Sequence, residues 1–202
     1  MKSKEWIQRQ NYDFYVKKAK SLGYVSRSAF KLIEIDEKFN LILKSNTIAE
    51  FGSSPGGWSQ IICSRNHRVK IYCFDLLPMQ FQNKKILFHK KNFLEYDFNS
   101  CKNYFDLVLS DVAPNTTGHK STDHLRIMSL VNNIIDISKL ILKKNGSLVF
   151  KIWRGSKDIE LINNLKKNFK TVKEFKPKSS RSESSEIYFI AKGYFRTENT
   201  LL

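Results

Sequence analysis

Gly52-Ser53-Ser54-Pro55-Gly56-Gly57 follows the apolar run Ile48-Ala49-Glu50-Phe51 and leads into Trp58-Ser59-Gln60. That order predicts a strand, a backbone-rich turn and a helix N-terminus within about a dozen residues. Glycine lets the main chain approach a ligand that a Cβ would repel, and a helix start offers N–H groups without internal partners. Gly52 and Gly56 are separated by three residues, with no third glycine at the dinucleotide offset, so the dinucleotide fingerprint is absent. No Gly-Lys-Ser/Thr follows, which excludes a P-loop. Taken alone, such a turn is equally a plain strand-to-helix connection. Asp75 tips the balance. It ends the next predicted strand, Lys70 to Asp75, roughly 20 residues on, where an acid can hold the two hydroxyls of a ribose. Loop and acid together point to a nucleoside-containing cofactor.

Four further residues are of types that orient or move protons. Asp111 closes the apolar run from Phe105 and leads into Val112-Ala113-Pro114-Asn115. Lys151 terminates Leu148-Val149-Phe150. An ionised lysine at the end of a core strand is costly unless paired, and a carboxylate on the adjacent strand would pair it. Either residue alone is consistent with a structural ion pair. Glu186 opens the last predicted strand after a polar segment containing Arg181, and alone it is an edge-strand charge. Lys31, between Phe30 and Leu32, alone is a solvated helix lysine.

The elements that must position these residues follow a regular alternation. Two helices are expected within 1–40: Tyr12 to Ser21, then Arg27 to Phe39 capped by Ser26, with Phe30, Ile33 and Phe39 as its apolar stripe. Strands are expected at 46–51, 70–75, 86–89, Phe105 to Val112, Ser147 to Trp153, 171–176 and 186–192. Helices are expected from Gly57 to Arg65, from Asp123 to Lys143 and from Lys157 to Asn168. In the long helix Leu125, Met128, Val131, Ile135, Leu140 and Leu142 supply the buried face, and Lys143-Lys144-Asn145-Gly146 ends it. Such alternation predicts a parallel α/β sheet with helices on both faces. Ligands in such sheets lie beyond the carboxyl ends of the strands, where Gly52, Asp75, Asp111 and Lys151 all fall.

Composition narrows the partner. The chain of 202 residues suits one domain, with N-terminal basic helices over 1–40 and an α/β core over 46–193. Its net charge of +16 favours a polyanion, although a Lys-, Asn- and Ile-rich composition itself raises the lysine count. Lys2, Lys4, Arg9, Lys17, Lys18, Lys20 and Arg27, with Trp6, Tyr12 and Tyr24 interleaved, form either a phosphate-gripping surface or a merely solvated face. No apolar run reaches the length of a membrane span and the first residues lack a signal-peptide core, so no membrane partner is expected. Cys63, Cys73 and Cys101 are odd in number and lack metal-ligand spacing. Buried free thiols, no metal and a reducing, cytoplasmic setting are expected. A monomer is the expected state.

Six segments, in order, carry a family resemblance. They are Arg27-Ser28-Ala29-Phe30-Lys31-Leu32, Ser54-Pro55-Gly56-Gly57-Trp58-Ser59-Gln60, Asp75-Leu76-Leu77-Pro78-Met79, Ser110-Asp111-Val112-Ala113-Pro114-Asn115, Val149-Phe150-Lys151, and Ser179-Ser180-Arg181 through Glu186-Ile187-Tyr188. From about Trp6 to Gly193 the chain resembles the FtsJ family of ribosomal RNA 2′-O-methyltransferases. The resemblance implies a class I, Rossmann-like S-adenosylmethionine-dependent methyltransferase fold, with a seven-stranded, mostly parallel sheet whose last strand is antiparallel. It implies a catalytic tetrad at Lys31, Asp111, Lys151 and Glu186, and cofactor positions at Gly56, Trp58, Asp75 and Asp111, to which the loop reading adds Gly52. Asn92 stands where the family usually has an acid near the adenine; its side-chain oxygen can still accept from an amino group.

The implied substrate is a ribose 2′-hydroxyl, expected to be a uridine's, in large-subunit ribosomal RNA on the ribosomal subunit. The task is then to align a weakly acidic hydroxyl behind the methyl of S-adenosylmethionine and remove its proton. Lys151 faces the hydroxyl in this reading, either as a neutral base or as an ammonium that orients the oxygen while the proton leaves late. Asp111 would orient Lys151 and face the cofactor methyl, while Lys31 and Glu186 hold substrate and network. The same tetrad serves transfer-RNA ribose methyltransferases, the alternative substrate class. A non-catalytic ribosome assembly factor on this fold predicts decay of tetrad or loop, and neither has decayed. A nicotinamide-dependent dehydrogenase is disfavoured by the glycine spacing and the basic charge.

Overall fold

The computed structural model describes residues 12–114, 117–153 and 159–195. Trp6, the basic residues before Tyr12, Asn115 and the predicted helix start at Lys157 lie outside the described residues. In chain order the elements are α1 (Phe14–Ser21), α2 (Ser28–Phe39), β1 (Thr47–Phe51), α3 (Gly57–Arg65), β2 (Lys70–Asp75) and β3 (Ile86–Lys90). After two short 3₁₀ turns come β4 (Phe105–Ser110), α4 (Lys120–Ile141), β5 (Leu142–Trp153), α5 (Ile159–Asn168), β6 (Phe169–Phe175) and β7 (Glu186–Tyr194). The seven strands form one sheet in the order β3-β2-β1-β4-β5-β7-β6. The pairings from β3 to β5 are parallel, and β7 runs antiparallel between β5 and β6. Strand order reverses between β1 and β4, which opens a crevice at their carboxyl ends.

Period-2 alternation divides the strands between two cores. Val108, Leu148, Phe150, Ile152, Ile187 and Phe189 pack towards α4 and α5. Leu107, Leu109, Val149, Tyr188 and Ile190 pack towards α2 and α3. Lys151 has the parity of Val149, and Glu186 that of Tyr188, so both candidate residues share the face covered by α2. Antiparallel pairing sets Lys151 opposite Tyr188 and Trp153 opposite Glu186, leaving Glu186 diagonal to Lys151.

Several element boundaries differ from the expectations. β4 stops at Ser110, so Asp111 and Val112 belong to the loop beyond it. Ser26 does not cap α2: the helix begins at Ser28 with Arg27 in the cap position, and Ser26 Oγ bonds to Ser28 Oγ at 2.6 Å instead. Its buried face is Ala29, Phe30, Leu32 and Ile35, with Ile33 and Phe39 only half-buried. The long helix α4 starts earlier than expected, where Asp123 accepts from the backbone of Thr117 and Gly118. Its core stripe is Ile127, Val131, Ile134 and Ile135, and Leu125 is 69% exposed. Nor does it end at Gly146. It passes into β5 at Leu142, and Lys143 to Gly146 are taken into that strand with Asn145 at positive φ. The three cysteines are free and buried, and among the described residues no helix is long and apolar enough to cross a membrane.

Candidate active site

Two ion pairs meet at the carboxyl end of the sheet. Lys151 Nζ lies 2.9 Å from Asp111 Oδ1 and donates to the Asp111 carbonyl oxygen at 2.7 Å. Lys31, reaching down from α2, lies 2.6 Å from Glu186 Oε1, which also accepts from Ser180 Oγ at 2.8 Å. Lys31 is therefore not the solvated lysine its local sequence suggests. Tyr188, fully buried, joins the two pairs: its hydroxyl donates to Asp111 Oδ1 at 2.7 Å, and Lys31 Nζ lies 6.0 Å from its ring centroid. Burial pushes the Asp111 carboxyl up, but the charges of Lys151 and Lys31 and the bonds from Tyr188 and Lys151 outweigh it and hold the group below its ordinary value. Its other oxygen, Oδ2, accepts no hydrogen bond among the described residues.

On the other side of Asp111 lies the Gly52–Gly57 loop. Gly52 has φ +76°, and a Cβ there would sit 2.9 Å from Val112 Cγ2. A Cβ on Gly56 (φ +113°) would sit 2.7 Å from Phe81 Cβ. Both glycines thus let the loop thread between protein segments, the Val112 backbone on one side and the 76–82 loop on the other. Asp75 accepts from Ser54 N and Leu77 N, both at 2.8 Å, with one bond on each oxygen. A lone pair on each oxygen remains for a diol. Trp58 contributes differently from a pocket-lining ring. Its side chain is buried against Tyr188 and donates to Ser28 O at 2.9 Å, so only its first-turn N–H is left for a ligand. Asn92 Oδ1 accepts from Leu94 N at 3.1 Å and caps the first 3₁₀ turn, leaving one lone pair. Ser53 Oγ is buried in the loop and has no hydrogen-bond partner among the described residues.

The family described as FtsJ-like methyltransferase matches residues 24–194. The chain belongs to the FtsJ-like methyltransferase family. It is 44% identical over 196 residues to a "Ribosomal RNA large subunit methyltransferase E" of Novosphingobium aromaticivorans, covering 95% of this chain and 88% of that protein. A protein of the same name from a Wolbachia species of Brugia malayi is 41% identical over 202 residues, covering 96% of this chain and 90% of its own length. A Plasmodium falciparum crystal structure described as a ribosomal RNA methyltransferase superposes with a TM-score of 0.74 at 28% identity, over 86% of this chain and all of that one. The seven-stranded sheet with its antiparallel β7 is the class I methyltransferase fold expected of this family.

Sequence reasoning missed three features of this FtsJ-like site. Tyr188 appeared only as part of a motif; its parity with Glu186 on one strand face was the available signal. Asp13 is a second. Its carboxylate caps α1 through Tyr15 N and Val16 N, and pairs with Arg27 and with Arg181 Nε at 3.0 Å. Burial raises this carboxyl, but the bonds and charges of Arg181 and Arg27 bring it below its ordinary value. Glu50 is the third. It is buried beneath the loop, where among the described residues its partners are Ser59 Oγ at 2.6 Å and Cys73 Sγ at 3.7 Å, and burial pushes it up to about 8.

Proposed function

We propose that this protein transfers a methyl group from S-adenosylmethionine to a ribose 2′-oxygen in large-subunit ribosomal RNA, with the ribosomal subunit as its partner. The observation that carries the reading is the joining of Lys31–Glu186 to Asp111–Lys151 through Tyr188, at the edge of a loop suited to a nucleoside. The FtsJ-like relatives named for large-subunit ribosomal RNA favour that substrate over transfer RNA. The cytoplasm, where such subunits are built, is the expected compartment, and a monomer is the expected state.

The residues suit the cofactor. Asp75 has lone pairs for two ribose hydroxyls, Asn92 has one for an amino group, and the first-turn N–H of Trp58 and the unpartnered Ser53 Oγ add polar atoms at the loop. The carboxylates of Asp111 and Asp75 at this end of the sheet complement a cationic ligand. When bound, S-adenosylmethionine supplies a methyl on a sulfonium, whose leaving group is neutral.

The chain's own contribution is orientation. An ammonium has three donor directions. Lys151 directs two of them at Asp111, which leaves one for the substrate oxygen. That geometry supports the orienting role: the ammonium holds the 2′-oxygen with a lone pair aimed across Asp111, and the hydroxyl proton leaves late, to solvent water. Lys31, fixed by Glu186, places a second cation where a ribose-phosphate would lie.

The test uses large subunits from cells lacking ribose methylation at such sites, incubated with labelled S-adenosylmethionine. A labelled 2′-O-methyl nucleotide in subunit RNA, absent with Lys151→Ala, is the expected result. Label on added transfer RNA instead would move the substrate. Tight subunit binding without label from either protein would overturn the enzyme reading.

A further inference from the structure

An open hollow lined by Lys31, Glu186, Arg27 and Arg181 lies on the substrate side of the two ion pairs, with a volume of 420 Å³. A second hollow of 380 Å³ adjoins it and shares Arg27, Arg181 and Glu183 with it. Its far wall is Tyr12, which is 84% exposed, with Lys17 Nζ 5.9 Å from the ring centroid. The hollow falls in the size range of small-ligand sites, about 300–1,000 Å³.

Between the hollows, Asp13 holds two guanidinium groups. Arg27 is fully engaged, with Asp13 on one side and the Ser179 carbonyl on the other. Arg181 is not: Nε bonds to Asp13 at 3.0 Å, and its two terminal nitrogens make no hydrogen bond among the described residues. A guanidinium pinned through Nε presents its terminal edge as a fork of the spacing that grips a phosphate. The side chain is 27% exposed, so the fork reaches solvent.

We propose that the second hollow seats the nucleotide next to the methylated one in a single-stranded segment of the ribosomal RNA, with its base stacked on Tyr12 and the connecting phosphate on Arg181. This rests on the substrate reading above. The hollow is charge-balanced, Arg27 and Arg181 facing Asp13 and Glu183. Affinity there comes from stacking and one directed phosphate contact, not from bulk attraction. Single-stranded RNA suits that combination, because every base offers a π-face and a sequence-independent backbone phosphate. Asp13 is a positioning residue in this scheme.

The experiment measures methyl transfer to unmethylated large subunits across subunit concentrations, for wild type, Tyr12→Ala and Tyr12→Trp. Tyr12→Ala should raise the KM for subunits about tenfold, the cost of losing one stacked base, while kcat stays within about twofold. Tyr12→Trp should restore the wild-type KM. Thermal melting and calorimetric affinity for S-adenosylmethionine should not move in either variant, because the ring is exposed. Benzoylphenylalanine at position 12 should cross-link to RNA beside the methylated nucleotide. An unchanged KM for Tyr12→Ala, or a cross-link only to ribosomal protein, overturns the subsite while leaving the substrate reading intact. Wild type that labels no subunit RNA overturns both.

Discussion

β4 and β5 are bridged by an aspartate–lysine pair at each end, and the two pairs have different fates. At the amino end Asp106 lies 2.8 Å from Lys143; at the carboxyl end Asp111 lies 2.9 Å from Lys151. The first pair is engaged at both carboxylate oxygens. Asp106 Oδ2 accepts from Asn46 N, Thr47 N and Thr47 Oγ1 while Oδ1 takes Lys143, so the carboxylate stitches β1, β4 and β5 together. The second pair is not. Both partners of Asp111 use Oδ1, and Oδ2 accepts nothing among the described residues. The lysines differ as well: Lys143 is 40% exposed, whereas Lys151 is 9% exposed. Like chemistry at the two ends of β4 and β5 therefore does structural work where both carboxylate oxygens are engaged. It is available for substrate work where burial and an open lone pair coincide.

Breaking the carboxyl-end pair should give the largest effect. Asp111→Asn leaves the shape but removes the charge that orients Lys151, and kcat for methyl transfer should fall on the order of 10²- to 10³-fold. A loss no greater than that of a surface substitution would remove Asp111 from the chemistry. Glu50 shows what burial does with no lysine paired to it among the described residues. With its carboxyl pushed up to about 8 by burial, the folded protein keeps a proton that the unfolded chain loses near 4.5. Stability from this group is full below pH 4.5 and is lost as pH rises towards 8. The ligand-free Glu50→Gln protein should lack that slope and melt about 5 °C above wild type at pH 8; parallel melting curves across this range would refute the assignment.

A smaller change sharpens the comparison. Tyr188→Phe removes one donor from Asp111 and keeps the lysine. A hydrogen bond to a charged acceptor contributes about 1.5–3 kcal/mol, so kcat should fall about tenfold. Because that bond helps to hold the Asp111 carboxyl below its ordinary value, the acid limb of the pH–rate profile should move to higher pH. A drop in rate with an unmoved limb would assign Tyr188 to packing alone. Lys143→Ala should have the least effect. A half-exposed pair contributes at most about 1 kcal/mol, so melting should fall by ~2–4 °C with methyl transfer intact; a catalytic defect would break the contrast between the two ends.

Much of this was legible along the chain. The Gly52–Gly57 turn, the acid ending β2 and the lysine ending an apolar strand are local signals, because backbone conformation and burial leave their mark within a few residues. The alternation of periods was equally local, and it predicted the class of sheet. Where an amphipathic helix meets its neighbours is not local. The α4 stripe falls on Ile127, Val131, Ile134 and Ile135, and that depends on a sheet surface assembled from strands elsewhere.

The sequence by itself determined the fold class, the Gly52–Gly57 loop and the residue types of the candidate site, since these follow from steric and burial preferences of short segments. Only the tertiary structure decided that Lys31 meets Glu186 across a separation of 155 positions, that Tyr188 couples the two ion pairs, and that Asp13 grips two arginines at the cleft. Such contacts are set by strand order, β7 register and helix docking, which no local stretch of the chain encodes.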